Sequence, residues 1–276
     1  MPDMPVLLFL FLLFSASVFA QDTSTFKTLR RYSSILEEER FFEVYVPASS
    51  NKKFEVIYVL DGQAQFTNVV NALKQAGQAQ KIVVGIGNIW LRDRDYTPTH
   101  VDPSPFPDKR AATVSGGGGK FISYLEKELI PYIDSSYSTD NSRILIGHSL
   151  GGLIAMDMLL NHSNLFRKYI IIDPSMWWDD GKLMKQSKGL LNKIFKPTYL
   201  FLAIANTRNK DKNTIEDIRK DTTLNTAQIR PSVLLLDNLK AYTKNNIKLD
   251  WKYYKEYDHM SVFQAALIDG LRFIFK

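Results

Sequence analysis

The chain has 276 residues, 45% of them hydrophobic, and a formal charge of +6 from 35 basic and 29 acidic side chains. This suits one large α/β domain with an ample core, and scattered rather than clustered basic residues argue against a nucleic-acid surface. With no cysteine, disulfides, thiol catalysis, thiolate metal sites and a lipid-anchoring cysteine are all excluded.

Residues 1–20 read as a secretory signal. Val6 to Phe14 is an unbroken apolar run of the right length, and Val18-Phe19-Ala20 offers small residues at the −3 and −1 sites before Gln21. The n-region departs from the pattern, with Asp3 and no Lys or Arg. The run is short for a membrane span. A periplasmic or secreted protein without a stable membrane anchor is expected, its single domain running from 21 to 276.

Lys27 to Leu36 and Arg40 to Val46 read as a hairpin around Glu37-Glu38-Glu39. Phe54 to Leu60 is a strand ending in the turn Asp61-Gly62. Ala64 to Ala76 is a helix, and Lys81 to Gly87 a buried strand. Asn88 to Ser115, rich in proline and polar residues, is too long for an idle connection. Gly116 to Gly119 opens a helix through Phe121, Leu125 and Leu129, without the Lys-Ser/Thr ending of a P-loop. After Ile144, strands follow at Tyr169–Asp173, Pro197–Ala205 and Leu249–Tyr257, and helices at Gly181–Phe195, Pro231–Asn245 and Ser261–Phe275. Arg208 to Asn225 is polar and charged. A hairpin followed by alternating strands and helices predicts an α/β fold: a mostly parallel central sheet with helices on both faces.

Gly147-His148-Ser149-Leu150-Gly151-Gly152 carries the most chemistry. Arg143 to Ile146 before it is strand-like, and Leu153 to Leu160 after it helical. This is the strand–turn–helix context of a G-x-S-x-G nucleophile elbow, whose glycines allow a tight turn and close backbone approach. Ser149 is the expected nucleophile, and the Leu150 amide an oxyanion donor. The second donor is expected from Gly62 or Gln63, after an earlier central strand; Asp61 reads as fixing that turn.

A serine hydroxyl needs a base. His148 is poorly directed for it, His100 lies in the long segment, and His162 ends a helix. His259 follows the last strand, where catalytic groups gather. The acid is expected between Ser149 and His259, in the loop after the strand ending at Ala205. Asp211 ranks first as nearest the strand end, with Asp217, Asp221 and Glu216 behind it, and a Ser–His dyad stays open. Asp258 adjoins His259 and would point away.

These runs together resemble the Putative esterase family, which includes esterase D-like hydrolases and enterobactin-type siderophore esterases. The matching residues are Val59 to Gly62, Gly85 to Asn88 with Arg92 to Pro98, Gly116 to Phe121 with Glu128 to Pro131, the elbow, Asp173 to Trp178, and Asp258 to Val262. The resemblance implies an α/β-hydrolase fold and ester cleavage without a cofactor. It implies Ser149 and His259 as nucleophile and base, with Leu150 and the Asp61–Gln63 turn as oxyanion hole. Many relatives carry a glutamate where Asn206-Thr207-Arg208 stands. By the same resemblance Arg92, Arg94 and Tyr96 border the pocket; an internal Arg–Asp network with Asp93 and Asp95 is the equal alternative. Trp177 and Trp178 form either an aromatic wall or ordinary packing. No H-E-x-x-H or compact His/Asp cluster suggests a metal. The expected activity is serine ester hydrolysis of a small-molecule siderophore, catecholate, short-chain or aryl ester. Acyl transfer to a sugar or lipid hydroxyl uses the same residues, and a non-catalytic binding protein on this fold is the second rival. Oligomeric state is not legible.

Overall fold

The hydrophobic alternation of the strands resolves into two cores, one on each side of a single sheet. In β3 (Phe54–Leu60), Val56, Tyr58 and Leu60 enter one cluster while Ile57 and Val59 enter the other. The same division runs through β5 (Thr139–His148), β6 (Lys168–Ile172) and β7 (Thr198–Ala205). A strand covered on both faces reads as a continuous apolar run, as these do. The computed structural model describes residues 24–48, 52–88, 90–107, 109–207, 214–242 and 246–276; the expected leader lies outside them.

The remaining strands are β1 (Thr25–Ser33), β2 (Glu38–Val46), β4 (Ile82–Ile86) and β8 (Ile247–Tyr254). The sheet order is β1-β2-β4-β3-β5-β6-β7-β8. β1 and β2 form the antiparallel hairpin, β2 pairs antiparallel with β4, and every pair beyond is parallel. The helices are α1 (Gly62–Gln75), α2 (Arg92–Asp95), α3 (Ala111–Val114), α4 (Gly118–Tyr124), α5 (Ile130–Ser136), α6 (Leu150–Asn161), α7 (Trp178–Leu191), α8 (Ile215–Lys220), α9 (Arg230–Ala241) and α10 (Val262–Ile274). Residues of α1 and α10 complete one core; α4 to α7 and α9 fill the other. α4 runs into α5 through a π-helical stretch, Leu125–Leu129.

Several boundaries differ from those expected. β1 stops at Ser33, because the amides of Ser34 and Ile35 turn away to donate to Glu128 Oε1 at 3.0 and 3.1 Å. The long 88–115 segment holds two single-turn helices, α2 and α3. α7 begins at Trp178, kinks through Asp179, Asp180 and Gly181 at positive φ, and ends at Leu191 rather than Phe195. The polar stretch contains α8, started by a capping box between Thr214 and Asp217. α9 ends at Ala241, where Tyr242 turns extended.

The chain lays β4 on one side of β3 and then returns to lay β5 on the other. Connections leaving the carboxyl ends of β3 and β5 therefore diverge, which opens the crevice where ligands bind in such sheets. The Asp61–Gln63 turn follows β3, and Ser149 follows β5.

Candidate active site

Ser149 sits at φ 61°, ψ −122°, a region a non-glycine residue occupies only when its surroundings enforce it. Here three backbone bonds do so. Its amide donates to Ile172 O (3.1 Å), and its carbonyl accepts from Leu153 (2.9 Å) and Ser175 (3.0 Å). A Cβ at Gly147 would lie 2.3 Å from the Gly151 carbonyl oxygen, so only glycine lets the strand pass the helix so closely. The helix cannot give way, since every residue from Leu150 to Leu160 is buried.

His259 lies in the loop between β8 and α10. Its Nε2 is 2.8 Å from Ser149 Oγ, and its Nδ1 is 2.6 Å from Asp173 Oδ2. With the carboxylate accepting, Nδ1 carries the proton and Nε2 is left to accept from the serine hydroxyl. Asp173 comes directly after β6, at φ 39°. Its Oδ1 accepts from the Ala205 amide (2.9 Å), its Oδ2 also accepts from Thr207 Oγ1 (2.8 Å), and its own amide donates to Ala203 O (2.8 Å). The carboxylate is thus pinned to the end of β7 while it holds the imidazole.

The carboxylate on His259 is therefore Asp173, which corrects the expectation for Asp211. Asp211 lies outside the described residues, and His259 Nδ1 has its acceptor already. The other candidates are engaged elsewhere: Asp217 caps α8, Glu216 pairs with Arg219 and Lys220, and Asp221 Oδ1 accepts from the Thr223 amide. Asp173 preserves the order serine, acid, histidine but arrives one strand early. Its signal in the sequence is its place as the last residue of the apolar stretch Tyr169–Asp173, ahead of Pro174-Ser175.

The cavity over Ser149 has a volume of about 890 Å³, at the upper end for small-molecule sites. Phe106, Trp177, Ile229 and Met260 give it apolar surface; Asn206, Asn225 and Gln228 give it amides. Leu150 lines it, and as the first residue of α6 its amide has no acceptor within its own helix. Gly62 and Gln63 do not line it. Gln63 borders a separate cavity of about 600 Å³, where its Oε1 accepts from the Asn88 amide at 3.0 Å.

Arg92 does line the main cavity, with Nε on Asp61 Oδ1 (2.9 Å) and Nη2 on His148 O (3.3 Å). Burial raises the Asp61 carboxyl above the usual range, and Arg92 partly offsets this. Arg92 thus borders the pocket, and its carboxylate partner is Asp61 rather than Asp93 or Asp95. Arg94 serves the network alone: it pairs with Glu38 and Asp95, and Asp95 also binds the buried Arg40. Tyr96 is fully buried, its hydroxyl accepting from the Asp61 amide at 2.9 Å. Trp177 meets Phe106 edge-on at 5.9 Å in the cavity wall, whereas Trp178 is buried with Nε1 donating to Thr99 O (3.0 Å). Among the described residues no group of three His, Asp or Glu side chains is placed to hold a metal, and no helix is long and apolar enough to cross a membrane.

Residues 33–274 match the Esterase family model, described as Putative esterase. Ferri-bacillibactin esterase BesA of Bacillus subtilis (strain 168) is 26% identical over 266 residues, which cover 88% of each chain. Among solved structures, an IroE-like serine hydrolase from Shewanella oneidensis is 32% identical, with a TM-score of 0.80 over 91% of this chain and 80% of that one. The BES protein from Bacillus cereus superposes with a TM-score of 0.75 at 25% identity, over 94% and 98% of the two chains.

Proposed function

Since the chain belongs to the Putative esterase family of α/β-hydrolase-fold serine hydrolases, we propose that it is an exported siderophore esterase working through an acyl-enzyme on Ser149. The observation that carries this reading is the hydrogen-bonded chain Ser149–His259–Asp173, at 2.8 and 2.6 Å, opening onto the large mixed cavity.

Ser149 Oγ attacks the ester carbonyl while His259 Nε2 takes its proton. Asp173 holds the reactive tautomer and stabilises the imidazolium that forms. The Leu150 amide donates to the developing oxyanion, and the Arg92 guanidinium, bonded to the His148 carbonyl, adds positive charge to the cavity lining. His259 returns the proton to the leaving alkoxide, and a water activated by His259 then cleaves the acyl-enzyme. Asp173 makes the arrangement a triad rather than a dyad.

Catecholate siderophore esters are favoured because the cavity combines aromatic faces, Phe106 and Trp177, with amide side chains for polar linkages. The name of the Bacillus subtilis relative agrees. Export rests on the apolar run Val6 to Phe14 and the site before Gln21. The test is a substrate panel. A triscatechol trilactone should be opened with kcat/KM at least about 100-fold above that for p-nitrophenyl butyrate, a margin of about 2.7 kcal/mol in transition-state binding. Equal or weaker turnover of the trilactone would leave the esterase chemistry standing and remove the siderophore assignment.

A further inference from the structure

His259 is carried by a loop, since β8 ends at Tyr254 and α10 begins at Val262. Side chains therefore have to fix its backbone. Asn206 holds two positions, its Nδ2 donating to Lys255 O (3.0 Å) and its amide to Tyr257 O (2.9 Å). Asp258 Oδ1 accepts from the amides of Met260 (3.0 Å) and Ser261 (2.9 Å). The carbonyl of His259 itself is held by His148, whose Nε2 lies 2.8 Å away.

A carbonyl oxygen can only accept, so His148 Nε2 carries the proton and its tautomer is fixed. The two imidazole rings lie against each other, centroids 4.6 Å apart and tilted by 33°. Phe263 closes the ring in from another side, edge-on at 5.9 Å. The His148 carbonyl accepts from Arg92, which Asp61 anchors. His148 thus stands next to the nucleophile in the chain and bonds to the main chain of the base in space.

We infer that His148 is a positioning residue: by gripping the His259 carbonyl from the residue beside Ser149, it sets the distance between nucleophile and base. The inference rests on the reading of Ser149 and His259 given above. The coupling is short. One peptide unit joins His148 to Ser149, and one hydrogen bond joins it to His259, so displacement of the loop is resisted where proton transfer occurs. His148 also suits its place electrically. Burial, then the charge of His259, pushes its pKa down to about 4. It therefore remains neutral while His259 becomes an imidazolium, so a second cation never opposes the transition state.

The test compares His148→Gln, His148→Asn and His148→Leu for kcat, KM and Tm. It also follows the far-downfield NMR resonance of the proton between His259 and Asp173. Glutamine places an amide nitrogen near the position of Nε2, asparagine falls a bond short, and leucine fills space without donating. The Asn and Leu variants should lose about 10- to 100-fold in kcat with KM nearly unchanged, the scale of loss for an ångström of misplacement. Their downfield resonance should broaden into exchange, while Gln keeps the resonance and most of kcat. Wild-type kcat in Asn or Leu, a loss confined to KM, or Gln as slow as Asn would overturn the inference. If Leu does not fold, the Gln and Asn pair decides. Ser149→Ala, assayed alongside, separates the two ideas. A dead Ser149→Ala beside a fully active His148→Asn removes only the role of His148, and an active Ser149→Ala removes both.

Discussion

Asp173 uses one carboxylate oxygen on the Ala205 amide and the other on His259 and Thr207, so its replacement should separate catalysis from scaffolding. In Asp173→Asn the site keeps its shape but loses the charge that stabilises the imidazolium. An amide nitrogen toward Nδ1 would also favour the wrong tautomer. A fall in kcat of about 10²- to 10⁴-fold is expected, as for other triads that lose their acid. Asp211→Asn should stay within about twofold of wild type, because His259 Nδ1 already has its carboxylate in Asp173. Steady-state kinetics on the two variants checks the assignment, and the reverse ranking would return the acid to the 208–213 segment. Ser149 and His259 were legible because each has a local signature: a glycine-bounded turn for one, a position just past the last strand for the other. Asp173 had none. It meets His259 only through the pairing of β6 with β7, which places Ala203 and Ala205 under its backbone and carboxylate. The usual order of the triad points instead to the loop after β7, where Asp211 stands nearest the strand end in sequence.

β5, the elbow and α6 form a unit whose geometry is set by what glycine omits. Gly147→Ala would drive a Cβ to 2.3 Å from the Gly151 carbonyl oxygen and 3.1 Å from the Gly152 amide nitrogen, backbone of a helix buried from Leu150 to Leu160. The expected cost is about 3 kcal/mol, the upper end for overpacking, with esterase activity lost because Ser149 moves with the turn. Chemical denaturation of wild type and Gly147→Ala gives the difference directly; a loss below about 1 kcal/mol with full activity would show that the turn is softer than its geometry implies. Elements of this kind, buried on both faces, were readable from their apolar runs. Elements decided by a distant partner were not. The end of β1 depends on Glu128, far away in the chain. The start of α7 depends on three positive-φ residues in a row, two of them aspartates, for which apolar periodicity carries no signal.

Across the whole molecule, function follows from one reversal in strand order. β4 and β5 flank β3, so the turn after β3 and the elbow after β5 face each other across the divergence point, with Asp61 Oδ2 only 3.3 Å from where a Gly151 Cβ would sit. β5 then contributes the nucleophile, β6 the acid, β7 Asn206 and Thr207, and β8 the loop of the base, so the ends of these four strands meet in one cavity. The mostly parallel α/β architecture and the leading hairpin were legible, because alternating element types leave few ways to build such a sheet; the crevice follows from the strand order. The cavity walls were not, since Phe106 and Gln228 come from segments whose paths the periodicity does not dictate. The central claim is that Ser149 is the nucleophile held ready by His259. The most direct measurement is intact-protein and peptide mass spectrometry after treatment with a fluorophosphonate, on wild type and Ser149→Ala. The account predicts a single stoichiometric adduct on Ser149 in wild type, with loss of ester hydrolysis in step with labelling, and neither adduct nor hydrolysis in Ser149→Ala. Full esterase activity in the labelled protein or in Ser149→Ala would contradict it.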